Sequence, residues 1–153
     1  MSNSKKVSIV TLGCAKNQAD TDNLKAMLEK RGHAVGGDAA DADAIVVHTC
    51  SFIEAAKRES LEAIMEAAKL KGNGKQLIVT GCMVQQHGKE LLAELPEVSA
   101  FLGTGQLAQV PDLLATPRER FLDRANPGGL MDPDADAIRE VKGPTAYLRL
   151  SEG

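Results

Sequence analysis

Short apolar runs rich in β-branched residues alternate along the chain with segments whose apolar residues recur at helical spacing. The runs are KVSIVTLG (6–13), AIVVHT (44–49) and QLIVTG (76–81), with weaker ones at 33–35 and 99–102. Runs that are apolar on both faces are typical of strands buried in a parallel sheet. The periodic segments between them predict helices on both sides. The sequence therefore predicts an α/β fold, a Rossmann-like three-layer sandwich with a mostly parallel sheet of about four to five strands.

The helices are expected between polar caps and glycine stops. The first is predicted over residues 21–31 and is followed by Gly32. The second is predicted to begin at the capping box Ser51-x-x-Glu54 and to end at Gly72. The residues of this second helix that are expected to face the core are Ile53, Leu61, Ile64, Met65 and Ala68.

The character of the sequence changes after residue 115. Residues 1–115 are predicted to form the α/β domain. Residues 116–144 contain four prolines and few periodic apolar positions, so they are predicted to be a linker or loose arm. The closing TAYLRLSEG (145–153) alternates apolar and polar residues as a strand does. We therefore expect the sequence to be a fragment of a longer protein whose next domain begins at about Thr145.

Composition and charge exclude several classes of protein. The chain has 153 residues, 18 Lys and Arg against 21 Asp and Glu, and only 3% aromatic residues, which argues against direct nucleic-acid binding. No apolar run approaches the ~20 residues of a membrane span, and no cleavable leader is evident. A cytoplasmic protein with no membrane partner is predicted. A domain of this size needs no metal merely to fold, so any metal would serve chemistry.

The three cysteines occupy equivalent positions in the predicted fold. Cys14, Cys50 and Cys82 each follow an apolar run, where a strand gives way to its helix. Because the carboxyl ends of parallel strands lie along one edge, the three thiols are expected to meet there. Helix starts also favour the thiolate, which is the form that binds metal. Asn17 and Gln18 either face the same edge or help the first helix begin.

Three interpretations of the cysteines stay open at this point. A single cysteine after a strand is more often a core residue than a ligand, but three cysteines at equivalent points of successive units reverse that preference. Structural zinc fits less well, because it usually takes four ligands supplied as close C-x2-4-C pairs, and His33, His48 or His87 would have to complete the set. His48 itself is expected to pack within its strand. Three thiolates suit an iron-sulfur cluster that keeps one iron open for an exogenous ligand.

Four motifs resemble the N-terminal domain of the methylthiotransferases, most closely the branch that modifies a ribosomal-protein aspartate. They are TLGCAKNQAD (11–20), HTCSFIEAAKRES (48–60), VTGCMVQ (79–85) and PEVSAFLGTG (96–105). TAYLRLSEG is similar to the segment that precedes the family's radical S-adenosylmethionine triad, C-x-x-x-C-x-x-C, which this sequence does not contain. His48 replaces the usual Asn of the family pattern, and Met83 and Val84 also depart from it. None of these departures removes a cysteine.

The resemblance implies that Cys14, Cys50 and Cys82 hold an auxiliary 4Fe-4S cluster whose fourth iron accepts a sulfur cosubstrate. A second 4Fe-4S cluster and S-adenosylmethionine are implied for the radical domain, of which 145–153 would be the truncated start. The whole enzyme is implied to add a methylthio group to the β-carbon of an aspartate in small-subunit ribosomal protein number twelve. The fragment alone, which has no catalytic residues in this assignment, is expected to be inactive. The alternatives are the branch that modifies transfer-RNA adenosine, or a non-catalytic metal-binding or partner-docking α/β module.

Overall fold

The computed structural model describes residues 4–13, 15–50, 53–70, 75–103, 106–115 and 121–123. Several sequence-based predictions fall outside these ranges. They concern Cys14, Ser51, the helix end at Gly72, and everything expected of residues 124–153. Within the described ranges, none of the helices has the length and hydropathy needed to cross a bilayer.

A single parallel sheet of six strands forms the centre of the molecule, in the order β2-β1-β3-β4-β5-β6. The strands are β1 (Lys6–Thr11), β2 (Ala34–Val35), β3 (Ala44–Thr49), β4 (Gln76–Gly81), β5 (Ala100–Leu102) and β6 (Phe121–Asp123). β3 and β4 are buried along their whole length, which explains why their apolar runs lack polar alternation. The predicted α/β architecture is confirmed, with one strand beyond the expected range.

Helices cover both faces of the sheet and complete the three layers. They are α1 (Ala15–Lys30), α2 (Glu54–Leu70), α3 (Cys82–Glu94) and α4 (Val110–Ala115). α1 and α4 pack on the face of the sheet that carries Val46 and Ile78. α2 and α3 pack on the opposite face, around Val47 and Phe101. Successive residues of β3 thus point into different cores, as the pleat of a strand requires.

The first helix begins earlier than its apolar periodicity predicts. α1 starts at Ala15, whereas the periodic apolar residues begin only with Leu24 and predict a start near Thr21. The first turns of α1 instead bury the polar side chains of Asn17 and Asp20, which are 2% and 5% exposed. A buried polar residue gives no hydrophobic period, so the sequence pattern misses these turns.

The predicted core face of α2 is partly wrong. Ile64 is fully buried and Ala68 is half-buried, as expected, but Ile53, Leu61 and Met65 are 57%, 37% and 55% exposed. The residues of α2 that are buried against the sheet are Ser60, Ile64 and Ala67. Two of these are small, so the helix lies close to the sheet along a narrow stripe, and the larger flanking side chains stay outside it.

β6 lies inside the segment predicted to be a linker. Phe121–Asp123 pairs in parallel with β5, so three of the residues assigned to the 116–144 linker belong to the edge of the sheet. The strand lies in a segment with several prolines and few apolar residues, so no apolar run marks it in the sequence. The remaining linker residues lie outside the described ranges, and their assignment stays a prediction.

His33 links the start of β1 to the turn that follows α1, at the end of the sheet opposite the cysteines. Its ring is 5% exposed, and its Nδ1 accepts a hydrogen bond from the backbone N–H of Lys5 at 3.1 Å. Burial, followed by the positive charges of Lys5 and Arg31, lowers the pKa of His33 below its ordinary value of 6.5. The ring is therefore neutral when it accepts this bond.

The free energy of unfolding should consequently fall as the pH drops below about 6.5, because His33 then binds a proton more readily in the unfolded chain than in the folded one. The loss should grow until the pH reaches the lowered pKa of the folded state. We expect His33→Asn, whose amide oxygen can accept the same bond, to reduce this pH dependence. Urea unfolding at several pH values between 7.5 and 5.0 gives the free energy of unfolding of each protein. If this free energy falls with pH equally in the wild type and in His33→Asn, the prediction is wrong.

Candidate functional site

The candidate site lies at the carboxyl edge of the sheet, where the strand order reverses direction. From β1 the chain moves outward to β2 and then returns past β1 to β3, β4 and β5. In doubly wound sheets the crevice at such a switch point, here between β1 and β3, is the usual place for a ligand. Cys14 follows β1, Cys50 follows β3 and Cys82 follows β4, so the three cysteines belong to three adjacent strands.

Gly13 brings the turn after β1 directly against the thiol of Cys50. Its φ is +93°, and a Cβ placed on it would lie 2.5 Å from Cys50 Cβ and 2.7 Å from Cys50 Sγ. No side chain fits at that distance, so only glycine allows this approach. The residue that precedes Cys14 in the chain is therefore in contact with Cys50. Cys14 itself lies outside the described residues.

Cys50 is buried, and its backbone is hydrogen-bonded to the side chain of Ser60. Its side chain is 6% exposed, its N–H donates to Ser60 Oγ at 3.0 Å, and that hydroxyl donates to the Cys50 carbonyl at 2.9 Å. Ser60 is fully buried in the middle of α2. Ser60 is the last residue of the motif at 48–60, and the sequence predicted no role for it. The feature of the sequence that could have identified it is its spacing, which places this polar residue on the same face of the helix as Ile64 and Ala67.

Cys82 is the first residue of α3 and is only partly buried. The preceding Gly81 has φ +103° and ψ −163°, a conformation that is essentially restricted to glycine. A Cβ at Gly81 would lie 2.5 Å from the Thr49 carbonyl oxygen and 3.0 Å from the Thr49 nitrogen. The residue before Cys82 is thus in contact with the residue before Cys50.

A buried polar layer lies beneath the cysteines. Asn17 Nδ2 donates to the carbonyls of Leu12 and Thr49 at 2.6 Å and 3.0 Å. Thr49 Oγ1 donates to the Thr80 carbonyl at 2.6 Å, which extends the connection to β4. Of the two residues expected either to face this edge or to begin the helix, Asn17 points inward, whereas Gln18 is exposed and bonds Asp22.

His48 belongs to the same layer and is 2% exposed. Its Nδ1 lies 2.7 Å from Thr80 Oγ1, a hydrogen bond between neighbouring strands, which confirms the expectation that it packs within its strand. Its Nε2 makes no hydrogen bond with any of the residues that the structure describes and lies 3.6 Å from the buried carboxylate of Asp20. His48 therefore joins α1, β3 and β4 directly behind Cys50.

The other two histidines do not join the cysteines. His33 lies beside Lys5 at the far end of the sheet, and His87 faces Glu90 of its own helix at 3.6 Å. In the part of the chain that the structure describes, no three His, Cys, Asp or Glu residues are grouped so as to hold a metal ion. Two of the three predicted ligands fall in that part, and Cys14 does not.

Two glycines and a helix start lie beside Cys50 and Cys82 at this edge of the sheet. Positions 13 and 81 are glycines, so no side chain from either position occupies the space beside Cys50 and Thr49. Cys82 is the first residue of α3, which is kinked at His87, and the N–H groups of its first turn that lack helical partners favour a negatively charged sulfur.

Comparisons with known proteins identify the family to which the chain belongs. Residues 6–103 match the family described as "Uncharacterized protein family UPF0004". The chain is 44% identical to "Ribosomal protein uS12 methylthiotransferase RimO" of Myxococcus xanthus (strain DK1622), over 97% of this chain and 32% of that protein. Proteins of the same name from Anaeromyxobacter sp. (strain Fw109-5) and Symbiobacterium thermophilum are 43% and 39% identical, over 97% of this chain and 32% and 31% of theirs.

The chain thus spans about a third of the length of these curated relatives. The family match, in contrast, covers well over half of the chain and includes every strand from β1 to β5 as well as positions 14, 50 and 82. The chain belongs to the Uncharacterized protein family UPF0004, and it is an N-terminal domain of the kind found in RimO methylthiotransferases.

Proposed function

We propose that this domain holds a 4Fe-4S cluster through Cys14, Cys50 and Cys82, as the auxiliary-cluster domain of a methylthiotransferase. The observation that carries the proposal is the approach of two glycines to the end of β3, one to Cys50 and one to the residue before it. Gly13 contacts the Cys50 thiol, and Gly81 contacts the backbone of Thr49. Each of these glycines immediately precedes another cysteine, which supports the proposal that thiols from three adjacent strands meet at this edge.

The donor set fits an iron-sulfur cluster better than it fits zinc. Structural zinc sites draw four ligands, commonly as close C-x2-4-C pairs, and the chain has three cysteines spaced 36 and 32 residues apart. The histidines that could have completed a zinc site are engaged elsewhere or point into the core. Three thiolates can hold three irons of a cubane.

When bound, the cluster would offer the sulfur to be transferred a coordination position at the iron that has no cysteine ligand. The chain's own residues do the holding. Ser60 bonds both backbone groups of Cys50 and so holds its main chain in place at the end of β3. Gly13 keeps the space beside the Cys50 thiol free of a side chain, and Gly81 does the same beside Thr49. The buried Asn17 and His48 tie the strand ends together below the site.

The substrate proposed for the whole enzyme is an aspartate β-carbon in small-subunit ribosomal protein uS12. The names of the similar proteins support this substrate over transfer-RNA adenosine, since all three name uS12. The net charge of −3 and the shortage of aromatic residues agree with a protein substrate. S-adenosylmethionine and a second cluster would belong to the remaining two thirds of the relatives' length, so the 153 residues alone are not expected to turn over.

Metal analysis after anaerobic reconstitution tests the proposal. The 153-residue chain, incubated with iron and sulfide and then desalted, should carry about four irons and four sulfides per chain and show broad sulfide-to-iron absorbance. Far-ultraviolet circular dichroism confirms that the chain is folded. A folded chain that stays free of iron, or that takes up one zinc in preference, would overturn the proposal in favour of a docking or zinc-binding module.

A further inference from the structure

Asn17 joins the ends of β1 and β3 at the point where their backbone ladder stops. The register pairs of the two strands end at Thr11↔His48, and the Leu12 N–H then donates to the His48 carbonyl at 3.0 Å. The next carbonyls on the two strands, those of Leu12 and Thr49, both accept from Asn17 Nδ2, at 2.6 Å and 3.0 Å. One side-chain amide therefore takes the place of the next rung of the ladder.

The chemistry of this position specifies an amide. Asn17 is 2% exposed, and a buried amide is tolerated only when its hydrogen bonds are made. Its two N–H bonds meet two carbonyl oxygens, which need donors. A carboxylate of the same shape is an acceptor only, so it would repel both oxygens and donate nothing.

The side-chain hydrogen bonds that join β1 and β3 extend to β4. Thr49 Oγ1 donates to the Thr80 carbonyl at 2.6 Å, and both threonines are fully buried. The accepting carbonyl of Thr49 immediately precedes Cys50. The carbonyls of Leu12 and Thr80 each belong to the second residue before a cysteine. Side-chain hydrogen bonds thus connect the three strand ends directly below the cysteines.

We propose that Asn17 is the positioning residue of the cysteine site: its amide sets the separation of the strand ends that carry Cys14 and Cys50. This inference rests on the proposed function. Asn17 is not a ligand, and it acts only through the carbonyls of Leu12 and Thr49. Loss of the amide should therefore change how well the thiols bind metal together, beyond any change in the stability of the fold.

Cadmium alone is a suitable probe, because its binding to thiolates gives an absorbance band and involves no redox chemistry. Under anaerobic conditions, Asn17→Asp in the 153-residue chain should weaken cadmium binding by about 10- to 100-fold, as the loss of groups that orient metal ligands usually does. Iron uptake on reconstitution should fall in parallel. Asn17→Ser, which retains one donor, should lie between Asn17→Asp and the wild type, and it decides the matter if Asn17→Asp does not fold.

Two control variants separate positioning from general damage. Gln18→Ala removes the neighbouring exposed amide of α1 and should bind cadmium as the wild type does. Val98, which is 1% exposed, lies in the core just before β5, at the opposite end of the sheet from the cysteines. Val98→Ala should therefore lower stability without changing cadmium affinity in the folded protein. Folded Asn17 variants with wild-type cadmium affinity and iron content would overturn the inference. A wild-type chain that takes up no iron defeats the proposed function instead.

Discussion

Gly81→Ala should destabilise the fold by about 2–6 kcal/mol, the sum of two independent costs. The first is backbone strain, because the φ of +103° and ψ of −163° at Gly81 lie in a region that is essentially closed to alanine. The second is steric, since the new Cβ would lie 2.5 Å from the Thr49 carbonyl oxygen. That oxygen belongs to the backbone of β3 and cannot rotate away, so β3 and β4 would have to separate.

Urea unfolding followed by circular dichroism measures this loss, and Gly36→Ala is the matched control. Gly36 also has a positive φ, +115°, but a Cβ there meets no atom within 4 Å. The control therefore carries backbone strain without the clash. We expect Gly81→Ala to lose clearly more stability than Gly36→Ala. Equal losses would mean that the contact with Thr49 contributes nothing.

The strands could be read from the sequence because burial on both faces leaves an unmistakable apolar run. The predicted limits 44–49 and 76–81 coincide with β3 and β4. β2 and β5, which have two and three residues, were found to within one residue at each end. β6 was missed, since its residues Phe121–Asp123 form no run and lie among prolines. Pattern analysis therefore works where an apolar run stands out from its neighbours, even at the edge strand β2, and fails at β6, where no run does.

The helices show a different limit of pattern analysis. Helical periodicity reports which residues are apolar, but not how closely a helix approaches its sheet. In α2 the contact is made by Ser60 and Ala67 around Ile64, so the larger side chains of Leu61 and Met65 remain outside. In α1 the first turns are buried through polar residues. Both errors arise because packing depends on the size and polarity of partners that are distant in the sequence.

Some features of the candidate site could likewise be predicted from the sequence, and others could not. The positions of the three cysteines follow from the rule that parallel strands end at one edge, and the structure places Cys50 and Cys82 there. The roles of Gly13, Asn17 and Ser60 could not be predicted, because each depends on a contact with Cys50 or Thr49, at least ten residues away in the sequence. Only the folded chain shows that these residues shape the site.

Gly13→Ala should abolish cluster loading and reduce the iron content to that of Cys50→Ser, which lacks a ligand. The new Cβ would lie 2.5 Å from Cys50 Cβ and 2.7 Å from Cys50 Sγ. Cys50 cannot withdraw freely, because Ser60 holds its backbone N–H and carbonyl. The thiol must rotate away from the edge or the turn after β1 must shift, and either movement separates two of the three proposed ligands.

Gly32→Ala provides the control that assigns this loss to the clash. Gly32 has φ +88°, close to the +93° of Gly13, and a Cβ there meets no atom within 4 Å. Both variants pay a similar backbone cost of about 1–3 kcal/mol, so a difference in iron content cannot come from strain alone. If Gly13→Ala loads iron as fully as Gly32→Ala while Cys50→Ser does not, the contact between Gly13 and the thiol has no part in holding the cluster. If Gly13→Ala and Cys50→Ser both fail to load iron while Gly32→Ala loads it fully, the open space at position 13 is as necessary to the site as the Cys50 thiol.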